Sequence, residues 1–240
     1  MLGRWHSHTM QALARRGEPA PAANEVWYWA DSQVTLNNQT NVVEHTFAGG
    51  RGVITYRADL ATMPVTLLGT PVVRVQLPPN ITSFAVSAFN GCTSLVDIIM
   101  PGVTAIANYA FNGCSALALT SLSDGVTSIN GSAFYGCSSL ALTSLPTALA
   151  SLGNNAFWSC AGLAITEIPA TVATIGNGVF RNCTGLTSLT FLGTPTSIGT
   201  NVFNGCTNLA TIRVPWSQGA VAGAPWGAPN TATIIYNYTP

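Results

Sequence analysis

Residues 87–95 read SAFNGCTSL, and the chain repeats this stretch five more times with small changes. Each copy keeps Phe at its third position, Cys at its sixth and Leu at its ninth, and successive copies are offset by 22 residues once and by 23 residues four times. A fixed period in the twenties predicts a solenoid, in which every repeat forms one coil that stacks on its neighbours. The other copies are YAFNGCSAL at 109–117, SAFYGCSSL at 132–140, NAFWSCAGL at 155–163, GVFRNCTGL at 178–186 and NVFNGCTNL at 201–209.

Two short apolar runs lie between successive copies. The first follows the repeat Leu, as TSLTF does at 187–191, and the second has the form V-T-x-I, as at 103–106. Their β-branched residues and period-two spacing predict two strands per coil, and the A-F-x-G-C segment is long enough for one helical turn. The predicted fold class is therefore a leucine-rich-repeat solenoid of about seven coils, mainly β, with one short helical turn per 22–23-residue coil and small β caps at both ends. At 117–122 and 140–145 the form LALTSL shifts one apolar residue, which predicts a local change of strand register.

The repeat Phe and Cys residues are predicted to form ladders of stacked side chains in the core. Cys is a small apolar residue that is often fully buried, so packing explains one Cys per coil. Disulfides between adjacent coils, zinc binding and a catalytic thiol are the alternatives. Zinc ligands normally cluster in sequence, and His6, His8 and His45 all precede the repeats. The predicted ladder residues are Phe89, Phe111, Phe134, Phe157, Phe180, Phe203, Cys92, Cys114, Cys137, Cys160, Cys183 and Cys206.

The chain divides into four predicted segments. Residues 1–24, which end in a Pro/Ala-rich linker, are either a disordered leader or an attachment peptide. Residues 25–66 form an N-terminal β cap with strands at VWYWA, NVVEHTF and GVITYRA and a glycine hairpin at FAGGRGV. Residues 67–215 form the solenoid. Residues 216–240 form a C-terminal cap, in which Trp216 and Trp226 are expected to cover the last coil.

Charge is scarce in this chain of 240 residues. Charged residues make up 7%, with eight Arg, no Lys and a net charge of zero, so no electrostatic footprint for nucleic acid is present. No uncharged apolar run reaches the length of a membrane span. So few charges fit either an uncharged polar surface or a subunit of an assembly, and they leave a homo-oligomer open. The acidic residues are scattered without a paired motif, so we expect no enzyme activity and no catalytic, cofactor or metal site.

The pattern V-T-x-I-x-x-x-A-F-x-G-C-x-x-L-x-x-[IL]-x-[IL]-P, over about residues 58–215, resembles the BspA-type leucine-rich repeat family. The segment that starts at NEVWYWADS and the segment VPWSQGAVAGAPWGAPNTATIIYNYTP look like those that open and close such arrays in gut bacteria and their phages. The resemblance implies binding rather than catalysis. It implies a phage tail or baseplate component of the virion that presents its repeats for host-cell attachment, or alternatively a bacterial cell-surface or secreted adhesin. The low charge, and a start without the apolar core of a secretory signal, favour the virion.

The residue after each repeat Phe varies while its neighbours stay constant, so it is expected to point outward. We call these six positions the variable row: Asn90, Asn112, Tyr135, Trp158, Arg181 and Asn204. Tyr, Trp and Arg often anchor interfaces, so the candidate binding surface is Tyr135, Trp158 and Arg181 with Asn112 and Asn204. These residues are either such anchors or merely tolerated on the surface. The expected partners are a host surface protein or glycan here and other virion or tail proteins at the N-terminal segment.

Overall fold

The computed structural model of this chain describes residues 20–36, 42–56, 61–63, 67 and 69–239. They form a β-solenoid of about seven coils, as predicted. Most of the predicted segment 1–24, and parts of 25–66, lie outside the described residues. Within the described part the strands are β1 (Glu25–Trp29), β2 (Val42–Ala48), β3 (Arg51–Tyr56), β4 (Thr62–Met63), β5 (Arg74–Gln76), β6 (Ser83–Phe84), β7 (Asp97–Ile99), β8 (Ala105–Ile106), β9 (Ser128–Ile129), β10 (Ser151–Leu152), β11 (Glu167–Ile168), β12 (Thr174–Ile175), β13 (Ser188–Phe191), β14 (Ser197–Ile198), β15 (Thr211–Arg213) and β16 (Thr233–Ile235).

The V-T-x-I runs form one side of the solenoid, as parallel strands two residues long. β8, β9, β10, β12 and β14 pair in that order, and β4 pairs with β6 in the same way. The last residue of each run packs against the core; Ile106, Ile129 and Ile175 are buried, and Ile198 of the last run is partly buried. Because the register advances by one whole repeat per strand, equivalent residues of successive coils lie directly above one another.

The runs after the repeat Leu form a second parallel side, which is interrupted once. β5 pairs with β7, and β11, β13, β15 and β16 form a separate sheet. Between them, residues 117–122 and 140–145 form no strand. These are the two LALTSL runs, whose register was predicted to change. Leu142 and Leu145 are both buried there, so the shifted apolar residues keep the core filled while the strand pairing is lost.

The A-F-x-G-C segments do not form the predicted helical turn, and the described residues contain no helix. In every coil the residue two before the Phe and the residue two after it have positive φ, as Tyr109 (57°) and Gly113 (74°) do around Phe111. Only three residues lie between them, too few for the hydrogen bond from residue i to residue i−4 that defines an α-helix. The segment instead closes with turn bonds, such as Cys114 N–H to the Phe111 carbonyl at 3.0 Å.

Each end of the solenoid is extended by additional strands. At the N-terminal end β2 and β3 form an antiparallel hairpin whose two loop residues, Gly49 and Gly50, have positive φ, as a type I′ turn requires. β1 pairs antiparallel with both β3 and β5, so the hairpin sheet continues into the first coils. At the other end β16 adds a parallel strand to β15, and the Phe203 N–H donates to the Trp226 carbonyl at 3.0 Å. Trp216 and Trp226 are both buried over the last coil.

The predicted ladders fill the core. All six repeat Phe side chains and all six repeat Cys side chains are fully buried, and the thiols are free. Successive Phe rings are nearly parallel, with centroids 5.2–5.8 Å apart and interplanar angles of 1–8°. The free thiols agree with packing and not with disulfides.

Candidate functional site

The backbone holds the variable row in register along one flank of the solenoid. Tyr135 illustrates the pattern: its N–H donates to the Ser132 carbonyl within the same turn at 3.2 Å, and its own carbonyl accepts from the Gly113 N–H of the preceding coil at 2.7 Å. The carbonyls of Trp158 and Arg181 accept equivalent bonds from the preceding coils at 2.8 Å. Both backbone groups are therefore used within the solenoid, and only the side chains of this row can vary.

Tyr135, Trp158 and Arg181 form one continuous patch. The Tyr135 and Trp158 ring centroids lie 5.3 Å apart at an interplanar angle of 53°. The Arg181 guanidinium carbon lies 4.4 Å from the Trp158 ring centroid, within the range of a cation–π interaction. Trp158 and Arg181 are half-buried, whereas Tyr135 is 36% exposed. The contiguity that was predicted from the coil spacing is thus present in the structure.

Arg181 combines its ring contact with unused hydrogen-bonding capacity. Its Nε is buried and has no hydrogen-bond partner. The ion pair found among the described residues joins Arg74 and Asp97 at 3.4 Å and does not involve Arg181. The Arg181 guanidinium is therefore held by stacking on Trp158, and within the described residues no carboxylate forms an ion pair with it.

Asn112 and Asn204 lie at the two ends of the patch. Asn112 is half-buried one coil before Tyr135, and Asn204 is exposed one coil after Arg181. Together with Asn90 they extend the variable row along the flank, with an amide above and below the aromatic and cationic centre. An amide both donates and accepts hydrogen bonds, so these ends suit a polar, uncharged contact.

Tyr109 is a surface residue that the sequence reasoning missed. It is 46% exposed, and its carbonyl accepts the turn hydrogen bond from the Asn112 N–H at 3.2 Å. A signal was present in the sequence, because the equivalent position of every other coil holds a small or polar residue: Ser87, Ser132, Asn155, Gly178 and Asn201. Tyr109 adds a second exposed phenol to the flank, one coil before Tyr135.

The Cys ladder has a structural role that the sequence did not reveal. Each thiol donates a hydrogen bond to a main-chain carbonyl of an earlier turn, as Cys160 does to the Phe134 oxygen at 3.0 Å. Burial is the main reason that the pKa of these thiols is raised, well above the ordinary value for Cys160 and to about 11 for Cys206. The thiolate, which is the nucleophilic form, is therefore disfavoured at neutral pH.

The rest of the described surface has one shallow depression of note. A shallow depression beside β16 is lined by Gln218, Val221, Pro225, Ile234 and Tyr236, together with small residues between 219 and 224. The parts of the chain that the structure describes contain no cluster of three His, Cys, Asp or Glu side chains placed to bind a metal ion. Within the same parts, no helix is long and apolar enough to cross a membrane.

Comparison with known proteins agrees with this architecture. The chain is similar to the leucine-rich repeat protein of T. pallidum, with 27% identity and a TM-score of 0.55 over 82% of this chain and 92% of that one. It is also similar to a leucine-rich repeat protein from Bacteroides ovatus, with 24% identity and a TM-score of 0.55 over 81% of this chain. The chain spans about half (54%) of the Bacteroides ovatus protein. No curated protein matches the chain in sequence.

The family model for the BspA type leucine rich repeat region matches the chain in two overlapping stretches, residues 68–186 and 104–221, with six copies of the repeat. Together they cover residues 68–221, well over half of the 240 residues. The matched region contains the stacked Phe and Cys ladders and the whole variable row from Asn90 to Asn204. The chain therefore belongs to the BspA-type leucine-rich repeat family.

Proposed function

We propose that this protein is a non-enzymatic attachment protein of a phage tail or baseplate, and that it binds the host-cell surface through the flank that carries Tyr135, Trp158 and Arg181. The observation that carries the proposal is the continuous aromatic–cation patch, with ring centroids 5.3 Å apart and a guanidinium 4.4 Å from the Trp158 ring. Aromatic residues and Arg are the side chains most often found at the centre of binding surfaces. In a repeat whose other positions are nearly uniform, these residues are the ones free to be selected for a partner.

Two features support the virion as the location. The segments at both ends of the repeats resemble those of arrays in gut bacteria and their phages. Charged residues are only 7% of the chain, which suits a subunit that is packed into an assembly. In this proposal residues 1–24, most of which lie outside the described residues, attach the solenoid to other tail proteins, and the repeats remain free to contact the host.

A bacterial cell-surface or secreted adhesin is the second candidate. The observation that favours it is the likeness to the T. pallidum leucine-rich repeat protein, a bacterial protein of which 92% is covered by this chain. The same flank would then bind the partner, and attachment to the cell would replace attachment to the virion. The two candidates share the binding surface and differ in the structure that carries the protein.

Two variants test the division of labour along the chain. Deletion of residues 1–24 is expected to leave the solenoid folded, because each coil is stabilised by its neighbours, and to abolish incorporation into purified virions, measured by mass spectrometry of the particles. Simultaneous replacement of Tyr135, Trp158 and Arg181 by Ala is expected to give normal incorporation but weaker binding to host cells. Arg51→Ala, at the start of β3 in the N-terminal hairpin and outside the variable row, is the control and is expected to leave binding to host cells unchanged.

The location of the protein separates the two candidates, and the triple variant tests the binding surface that they share. Virions that lack the full-length protein would exclude a tail component, and recovery in the bacterial envelope or culture medium would support an adhesin. Cell binding by the triple variant that equals wild type would show that this flank is not the binding surface under either candidate.

A further inference from the structure

We propose that the patch formed by Tyr135, Trp158 and Arg181 recognises a linear saccharide that carries carboxylate groups, with the carboxylate bound by Arg181. This inference rests on the proposed attachment function, because it names the class of host-surface partner for the same flank. The experiment described below is chosen so that the saccharide specificity can fail while the attachment function stands.

The stacked Arg181 guanidinium favours a partner with negative charge. Arg181 has a buried Nε without a hydrogen-bond partner, and its guanidinium is stacked 4.4 Å from the Trp158 centroid. A stacked guanidinium is fixed in one plane, and its outer N–H groups form a fork that matches the two oxygens of a carboxylate. Because no ion pair within the described residues involves Arg181, its charge is available to an anionic ligand.

The arrangement of the variable row favours a partner with a linear shape. The variable row follows the solenoid axis, with one side chain per coil at a spacing of about 4.8 Å. From Asn112 to Asn204 it presents an amide, a phenol, an indole, a guanidinium and an amide in turn. A linear polymer laid along the axis meets all of these groups. The aromatic rings offer apolar surface to the C–H faces of sugar rings, and the amides offer donors and acceptors to hydroxyl groups.

The bonded backbone and the narrow width of the row favour a saccharide over a protein partner. An extended peptide gains affinity from main-chain hydrogen bonds to a strand edge, but the N–H and C=O groups of Tyr135, Trp158 and Arg181 are already bonded within the solenoid. A folded protein typically needs an interface of about 20–30 residues a side, whereas the row is one side chain wide. A polymer whose successive units contact only the successive side chains of the variable row fits this row better than a peptide or a folded protein does.

The test uses the full-length protein and oligogalacturonate, a linear saccharide with one carboxylate per unit, in isothermal titration calorimetry. Its methyl ester, which has the same backbone without the charge, and poly-glutamate, which has the charge without the sugar, are the comparison ligands. We expect oligogalacturonate to bind at least tenfold more tightly than either. Arg181→Gln should weaken that binding about tenfold or more. Arg181→Lys keeps the charge but loses the planar fork, so its affinity should lie between those of wild type and Arg181→Gln.

Arg51→Gln is the matched control, because Arg51 also lies over an indole, 4.5 Å from the Trp27 centroid, but in the N-terminal hairpin. It is expected to bind oligogalacturonate as wild type does. The proposal is overturned if no binding is detected, if the methyl ester or poly-glutamate binds as well as oligogalacturonate, or if Arg51→Gln weakens binding as much as Arg181→Gln. If any of these results occurs while the triple Ala variant still binds host cells more weakly than wild type, the attachment function stands and the ligand is a different one.

Discussion

Replacing Phe134 by Leu tests whether the stacked rings stabilise the solenoid beyond simple burial. Phe134 stacks on Phe111 at 5.2 Å and on Phe157 at 5.4 Å, and both pairs are within 8° of parallel. A conservative exchange of buried apolar residues costs up to about 1.5 kcal/mol. Each aromatic pair adds about 0.5–1.5 kcal/mol. With two pairs lost, the free energy of unfolding should fall by roughly 1–4.5 kcal/mol.

A Phe at the end of the ladder, which stacks on fewer rings than Phe134 does, provides the control. Phe203 stacks on one ladder ring, Phe180, at 5.8 Å, so Phe203→Leu should cost less than Phe134→Leu by about one pair, 0.5–1.5 kcal/mol. Urea unfolding followed by circular dichroism measures both. A double-mutant cycle of Phe134→Leu with Phe157→Leu should show a coupling of about 0.5–1.5 kcal/mol. Costs that add independently, within about 0.3 kcal/mol, would show that the rings act only as apolar volume.

Two further predictions concern the thiols and the N-terminal hairpin. Because the six thiols are free and buried, an alkylating reagent should modify none of them in the native protein and all six after denaturation without reductant, and mass spectrometry that finds fewer labels in the denatured sample would contradict free thiols. Tyr28 Oη accepts from the Val34 N–H at 3.2 Å and forms a hydrogen bond of 2.8 Å with His45 Nε2. Burial lowers the pKa of His45. The unfolded chain therefore takes up the proton first, and stability should be complete above the unfolded pKa of about 6.5 and fall as the pH drops below it. Urea midpoints at several pH values should show that His45→Gln flattens this dependence, and an unchanged slope in the variant would assign it to other groups.

The repeat period predicted the coils and the buried ladders because both depend on local pattern. A residue that returns every 23 positions must occupy the same place in each coil, so the burial of Phe and Cys follows from the stacking alone. The hydrogen bond from Cys160 to the Phe134 carbonyl joins residues 26 apart. Nothing in the sequence distinguishes a thiol that donates such a bond from one that only fills space.

Two details depended on geometry that the sequence signals only in part. Gly at the position two residues after the repeat Phe suggests a positive φ at that position. Tyr109 and Asn155, which lie two residues before their repeat Phe, also have positive φ, and a Tyr gives no signal of that conformation. The predicted helical turn therefore does not form. The pairing of β1 with β5, which joins Trp29 to Arg74, links residues 45 positions apart, and its register is set by the fold rather than by neighbouring residues.

The interrupted side of the solenoid limits where a ligand that spans several coils can bind. Strand pairing is lost at 117–122 and 140–145, in the coils that hold Phe111 and Phe134. The turns of those coils remain bonded without a break, through Gly113 N–H to the Tyr135 carbonyl and Gly136 N–H to the Trp158 carbonyl. The interrupted runs keep single backbone bonds between coils, such as Ala141 N–H to the Leu119 carbonyl at 3.1 Å, but form no strand. A ligand that spans several coils needs a row that is held in the same way in every coil, and the turn bonds hold the variable row in this way. That difference is why we place the binding surface on the turn flank rather than on the interrupted sheet.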